Sequence, residues 1–185
     1  MREHAALVTR PAGERILAEL RRLSAGGYRR LDELGLLEPV GGAITDRLDR
    51  VDSPDYRLVA SLGENLRRLP VSNEQSRYGR ALLQAERPEG DPRSIHRFRR
   101  ATEPWALDAL AFLGAGELSG AVEEARRDDP AEPLVRGDEL GLPPGPEIGR
   151  LLGEIAEERA AGTIATKEEA LDYARRNAGT VRQDG

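Results

Sequence analysis

Proline and glycine interrupt this 185-residue chain so often that no regular element can run long: there are 12 prolines and 20 glycines. Between the breaks, apolar residues recur three and four apart, the spacing of one buried helical face. Ile16, Leu17, Leu20 and Leu23 form one such stripe. Tyr56, Val59, Leu62, Leu66 and Leu69 form another, between Pro54 and Pro70. No segment alternates apolar and polar residues, and no hairpin dipeptide joins two β-branched runs. The pattern predicts an all-α chain, an elongated multi-helix bundle in which short helices pack on their sequence neighbours.

Start and stop signals divide it further. Helices are expected over 8–24 and 28–37, separated by Gly26–Gly27 and together forming an N-terminal helical hairpin over residues 1–38. A helical body follows over 39–130. It holds a short helix at 44–51, a capping box at Ser72 and Gln75, a helix starting at Asp91–Pro92, and a central apolar helix over 104–113. Trp105, Leu110 and Phe112 should be buried there. A small tail unit occupies 131–176, with Gly162 closing one helix and a second capping box at Thr166 and Glu169. Residues 177–185 read as a frayed end.

Composition narrows the chemistry. With 38% hydrophobic, 33% charged and only 4% aromatic residues, the core must be aliphatic. No apolar run approaches the roughly 20 residues of a membrane span, and the N-terminus lacks a signal peptide's apolar centre. Cysteine is absent, so there is neither a disulfide framework nor a thiolate metal site. A cytoplasmic protein with no membrane partner is expected. The net charge of −5 argues against a whole-surface grip on nucleic acid. Lys167 is the only lysine among 28 basic residues, a bias that suits phosphate recognition but equally suits a genome rich in G and C.

Two stretches could bind an anion. In PRSIHRFRRAT, Arg93, Arg97 and Arg100 fall four and three apart, beside His96 and Arg99, while Ile95 and Phe98 point towards a core. Such a row can follow a phosphate backbone, and it can equally be a solvated face. In Gly141–Leu142–Pro143–Pro144–Gly145–Pro146 the breaks make an elbow, and Glu147 begins an unbroken helical pattern. The amides near Gly145, Ile148 and Gly149, with Arg150 one turn in, would face a phosphate at the helix N-terminus. The elbow also suits a simple corner between packed helices, and Glu147 partly neutralises an anion site. Asp46, Asp49 and Asp52 alternate with arginines and read as a charged face. His4 and His96 each lack a second histidine at ligand spacing, so no catalytic residue, metal site or cofactor is expected.

GLPPGPEIGRLLGEI, followed by TIATKEEALDYARR, resembles the C-terminal tail of bacterial class II tRNA nucleotidyltransferases, the CCA-adding and poly(A) polymerase-like enzymes. The resemblance is dense over 134–175 and returns over 13–37, where Glu14–Arg15–Ile16, Glu19–Leu20 and LDELGLL resemble the family's neck. It implies a neck, body and tail that hold the acceptor and TΨC stem of tRNA or a tRNA-like RNA. The family's Gly–Ser loop and Asp–x–Asp metal pair do not occur in this sequence, nor does the His–Asp signature of many relatives. Nucleotidyl transfer by this chain alone is therefore not expected, and a separate catalytic head polypeptide is an implied partner. A helix–hairpin–helix-like backbone binder and a helical protein-interaction or regulatory remnant stand as alternatives.

Overall fold

A computed structural model describes residues 9–179, with side chains from residue 13 onward; His4 and residues 180–185 of the expected frayed end lie outside that range. Among the described residues every regular element is helical, as expected. The helices are α1 (Thr9–Arg22), α2 (Ala25–Glu33), α3 (Pro54–Leu62), α4 (Asn73–Leu83), α5 (Pro92–Thr102), α6 (Ala106–Leu113), α7 (Ser119–Arg127), α8 (Pro146–Ala160) and α9 (Lys167–Asn177). They divide into two compact units. The first holds the described residues up to Arg87 together with Ala101–Ser119; the second holds Pro88–Arg100 together with the described residues from Gly120.

In the first unit, α1 packs on α3, and α2 returns to α1 through Tyr28, whose buried hydroxyl donates to the Leu20 carbonyl at 3.1 Å. The break between α1 and α2 falls at Leu23–Ser24, ahead of Gly26–Gly27 where it was expected. Ser24 is the reason: its hydroxyl accepts the Gly27 amide, so the glycines sit in the capped first turn of α2. The expected short helix over 44–51 does not form either, and residues 46–49 make turns instead. Its aspartates are drawn to three different places: Asp46 pairs with Arg50, Asp49 with Arg29, and Asp52 with Arg57. Thr45 also donates to the Ala60 carbonyl at 2.9 Å. The two tertiary contacts among these, Asp49 to Arg29 and Thr45 to the Ala60 carbonyl, outweigh a weak local helical preference.

The helix expected from Pro54 to Pro70 stops at Leu62, because Gly63 takes φ +51°, a region that side-chain-bearing residues avoid. A tighter 3-10 stretch over Gly63–Arg68 continues the stripe and still buries Leu66. The capping box at Ser72 and Gln75 is present and starts α4. Leu110 and Phe112 of α6 are buried, but Trp105 is only half-buried, because it sits ahead of α6 as its N-cap and not within the apolar face.

Tyr56 occupies the centre of this core, fully buried, with its ring edge-on to Phe112 at 6.1 Å between centroids. Its hydroxyl is buried and has no hydrogen-bond partner among the described residues, and burial pushes its pKa up to about 12. An unmet buried hydroxyl costs about 1–3 kcal/mol. Tyr56→Phe is therefore expected to leave stability unchanged or raise it by up to about 1 kcal/mol in urea unfolding. A loss larger than that would mean the hydroxyl has a partner.

The second unit is built around Val135, Leu151, Ile155, Ile164, Ala170 and Ala174. Leu151 and Ile155, four apart on α8, meet Ala170 and Ala174, four apart on α9, so small residues on one helix admit large ones from the other. Leu171 and Tyr173, expected to face inward, are half-buried at the edge of this cluster. A 3-10 turn over Gly137–Leu140 packs against α8. Gly137 allows that approach, since a Cβ there would stand 2.8 Å from Cγ2 of Ile148. The capping box at Thr166 and Glu169 starts α9, as the spacing predicts.

Candidate nucleic-acid interface

The arginine row and the elbow helix lie in the same unit. Asp91 starts α5 by accepting the backbone amides of Arg93 at 2.9 Å and Ser94 at 3.1 Å. From that start Ile95 and Phe98 are buried, which turns residues 93, 97 and 100 to the opposite side. Arg93 presents its guanidinium fork to both oxygens of Glu158 on α8, at 2.9 and 2.7 Å. Arg97 donates to Oε2 of Glu157 at 2.9 Å. Successive residues of α8 thus take two arginines four apart on α5. Arg100 is exposed and makes no ion pair with a described residue. Arg99 is buried and reaches the Ala125 carbonyl and, at 2.9 Å, Asp129.

The charge states follow from these contacts. The Arg93 fork, and after it the Thr163 hydroxyl, hold the Glu158 carboxyl below its usual range. His96 is half-buried; desolvation first, and then the Arg100 charge, lower its pKa. Both effects disfavour its charged form, so His96 is a poor source of positive charge for the row.

At the elbow, Gly145 is the N-cap of α8 in extended backbone with no side-chain cap, and Pro146 opens the helix. Gly145 and Gly149 are exposed, and a Cβ built on Gly149 would meet nothing within 4 Å. Ile148 is half-buried, and its amide bonds the Gly145 carbonyl at 3.2 Å. Arg150 is engaged: it pairs with Glu154 at 2.8 Å and Glu147 at 3.5 Å, and donates to the Asn177 carbonyl at 3.0 Å. Glu147 in turn accepts the Gly179 amide, so a carboxylate and the end of α9 stand at the first turn of α8. Residues 148 and 157 lie nine positions apart, about 14 Å along the helix axis. The elbow and the arginine row therefore occupy different ends of α8.

Glu157 and Glu158 were not singled out by sequence reasoning. The adjacent acids in EIAEERA look like ordinary surface charge, and only the packing of α5 on α8 shows that they sit opposite Arg97 and Arg93. Among the described residues, no group of three His, Cys, Asp or Glu side chains is placed to hold a metal ion. No described helix is long and apolar enough to cross a membrane.

The chain is similar, over part of its length, to a CC-adding and an A-adding tRNA nucleotidyltransferase. It is 45% identical over 77 residues to the CC-adding tRNA nucleotidyltransferase of Thermus thermophilus, an alignment covering 37% of this chain and 18% of that protein. It is 42% identical over 75 residues to the A-adding tRNA nucleotidyltransferase of Deinococcus radiodurans, covering 38% of this chain and 17% of the relative. The match thus spans less than a fifth of either relative's length. No family model and no solved structure matches the chain.

Proposed function

We propose that this chain is the RNA-binding helical portion of a tRNA nucleotidyltransferase-like system, gripping the acceptor and TΨC stem backbone and adding no nucleotides by itself. The observation that carries this reading is the partial identity to a CC-adding and an A-adding enzyme, both of which act on tRNA by name. The contacts are to backbone and shape, because the A-form major groove is too narrow for side chains to read. Arg97 and Arg100 are the exposed members of the row and meet phosphates first. Arg93 takes part only by sharing its fork with Glu158. At the elbow, the exposed backbone at Gly145 and Gly149 offers a second, weaker contact, opposed by Glu147. A catalytic head carrying the Gly–Ser loop and the Asp–x–Asp pair supplies the chemistry.

The test is binding of a tRNA acceptor minihelix across a salt series, with nucleotide incorporation from CTP and ATP measured in parallel. With about three phosphates neutralised, log affinity should fall against log salt with a slope of about −3, and incorporation should be absent. Arg97→Ala with Arg100→Ala should reduce that slope by about 2 and leave helicity unchanged. If the double variant binds like the parent, the row is only a solvated face. If the parent shows no salt-sensitive binding, a helical protein-interaction module becomes the better reading.

A further inference from the structure

The first unit contains a cleft of about 410 Å³ that the RNA-binding reading leaves unused. Trp105 and Tyr78 form an aromatic wall, their rings edge-to-face at 5.6 Å between centroids. Trp105 is half-buried where the apolar spacing of its segment led us to expect full burial. Asp108, in the first turn of α6, also lines the cleft. It accepts the Tyr78 hydroxyl on Oδ2 at 2.7 Å, and this is its only hydrogen bond among the described residues, so Oδ1 is uncommitted. Burial and this bond both raise the pKa of Tyr78, which keeps the phenol protonated as a donor.

Three other lining residues already engage one another. Asp55 accepts Gln75 Nε2 at 2.8 Å and the guanidinium of Arg21 at 3.1 Å, so these three side chains hold one another. Glu74 adds another carboxylate, and against the three acids of the lining stand Arg21 within it and Arg77 over the Trp105 ring. A phosphorylated ligand is disfavoured by that charge, and a purely apolar one by the polar lining. A cation with a flat face is favoured, since it can lie on an indole and still be chelated by a carboxylate. The chain itself uses the indole this way: the guanidinium of Arg77 lies over the Trp105 ring, 5.8 Å from its centroid.

We propose that this cleft binds a guanidinium group, stacked against Trp105 and hydrogen-bonded to the uncommitted Oδ1 of Asp108. Planarity decides for guanidinium over ammonium, because a guanidinium can donate to that oxygen in its own plane and present a π face to the indole together. The group can arrive on a small molecule or on an arginine side chain of a protein partner. The site uses no residue assigned to RNA binding, so its failure and the failure of the RNA reading are separate results.

Trp105 is the only tryptophan of the chain, so its emission reports the cleft directly. The full chain is titrated with agmatine and with glycyl-arginyl-glycine, using putrescine and AMP as comparators. Saturable change with agmatine alone supports a small-molecule ligand, and tighter binding of the peptide supports a protein partner. Asp108→Asn, which keeps an oxygen for Tyr78, should weaken binding about tenfold, equivalent to about 1.4 kcal/mol. Glu74→Gln, at an exposed rim position, should weaken it about twofold. This second variant decides the matter should circular dichroism show that the first has lost its fold. The proposal is overturned by absence of a saturable response to either guanidinium compound at millimolar concentration. Binding of putrescine or AMP as tight as agmatine overturns it too, as does unchanged affinity in a folded Asp108→Asn protein.

Discussion

Leu151→Ala is expected to destabilise the second unit by about 3 kcal/mol, within the range of about 2–5 kcal/mol for buried leucines. Leu151 is fully buried in a cluster drawn from both sides of the elbow: Val135 before it, and Ile164, Ala170 and Ala174 after it. Two members of the cluster are alanines whose Cβ atoms cannot swing into a vacated space. The cavity therefore stays open, and the cost sits above the bare transfer term of a few methylenes. Since whole domains are stable by only about 5–15 kcal/mol, the loss should be plain in urea unfolding followed by far-UV circular dichroism. Leu34→Ala is the matched control, because Leu34 is 54% exposed and should cost less than about 0.5 kcal/mol. Equal effects of the two substitutions would mean that α8 does not pack as described.

What could be read from the sequence was local. The capping boxes at Ser72–Gln75 and Thr166–Glu169 each lie within four consecutive residues, and the structure shows both. Asp91–Pro92 marked the start of α5 for the same reason. The failures share the opposite cause. Gly26–Gly27 looked like a break because glycine is a poor helix former, but Ser24 caps a helix that runs through both. The stretch 44–51 had a helical charge spacing, yet Arg29, twenty residues back, takes Asp49, and Arg57, at the start of α3, takes Asp52. Apolar neighbours suggested burial for Trp105, but its place ahead of α6 sets its exposure.

The candidate site was legible to the same degree. The face shared by Arg93, Arg97 and Arg100 follows from helical periodicity, and the structure places α5 where the sequence predicts it. The partners of Arg93 and Arg97 could not be read, because they lie 65 and 60 residues away. No local rule pairs charges over such separations. The elbow was legible as a helix start, while its contacts with Gly179 and Asn177 depend on α9 folding back against α8.

That pairing leads to an effect opposite to the one usually sought by removing charge. Glu157→Gln together with Glu158→Gln is expected to strengthen binding of a tRNA minihelix by about tenfold at moderate salt, if the arginine row meets phosphate. In the parent, a phosphate approaching Arg93 or Arg97 must compete with a carboxylate already 2.7–2.9 Å from the guanidinium. Glutamine keeps a hydrogen-bond acceptor and the side-chain shape but gives up the charge, so both arginines become available. Arg93, which the parent holds on Glu158, should then neutralise about one further phosphate, steepening the salt slope by about 1, while Arg97 meets its phosphate without a competing carboxylate. The folding cost is small by comparison: Arg97 is 57% exposed and Arg93 40%, and pairs that open to solvent contribute only about 0–1 kcal/mol each. Glu123→Gln with Glu124→Gln is the required control. Those residues lie on α7 in the same unit and are exposed, so the control changes net charge equally without releasing Arg93 or Arg97. A general charge effect would raise affinity in both double variants alike. Tighter binding and a steeper slope only in the Glu157, Glu158 pair would place the phosphate contact on α5. Binding no tighter than the control's would mean that these two arginines serve to dock α5 on α8 and nothing more.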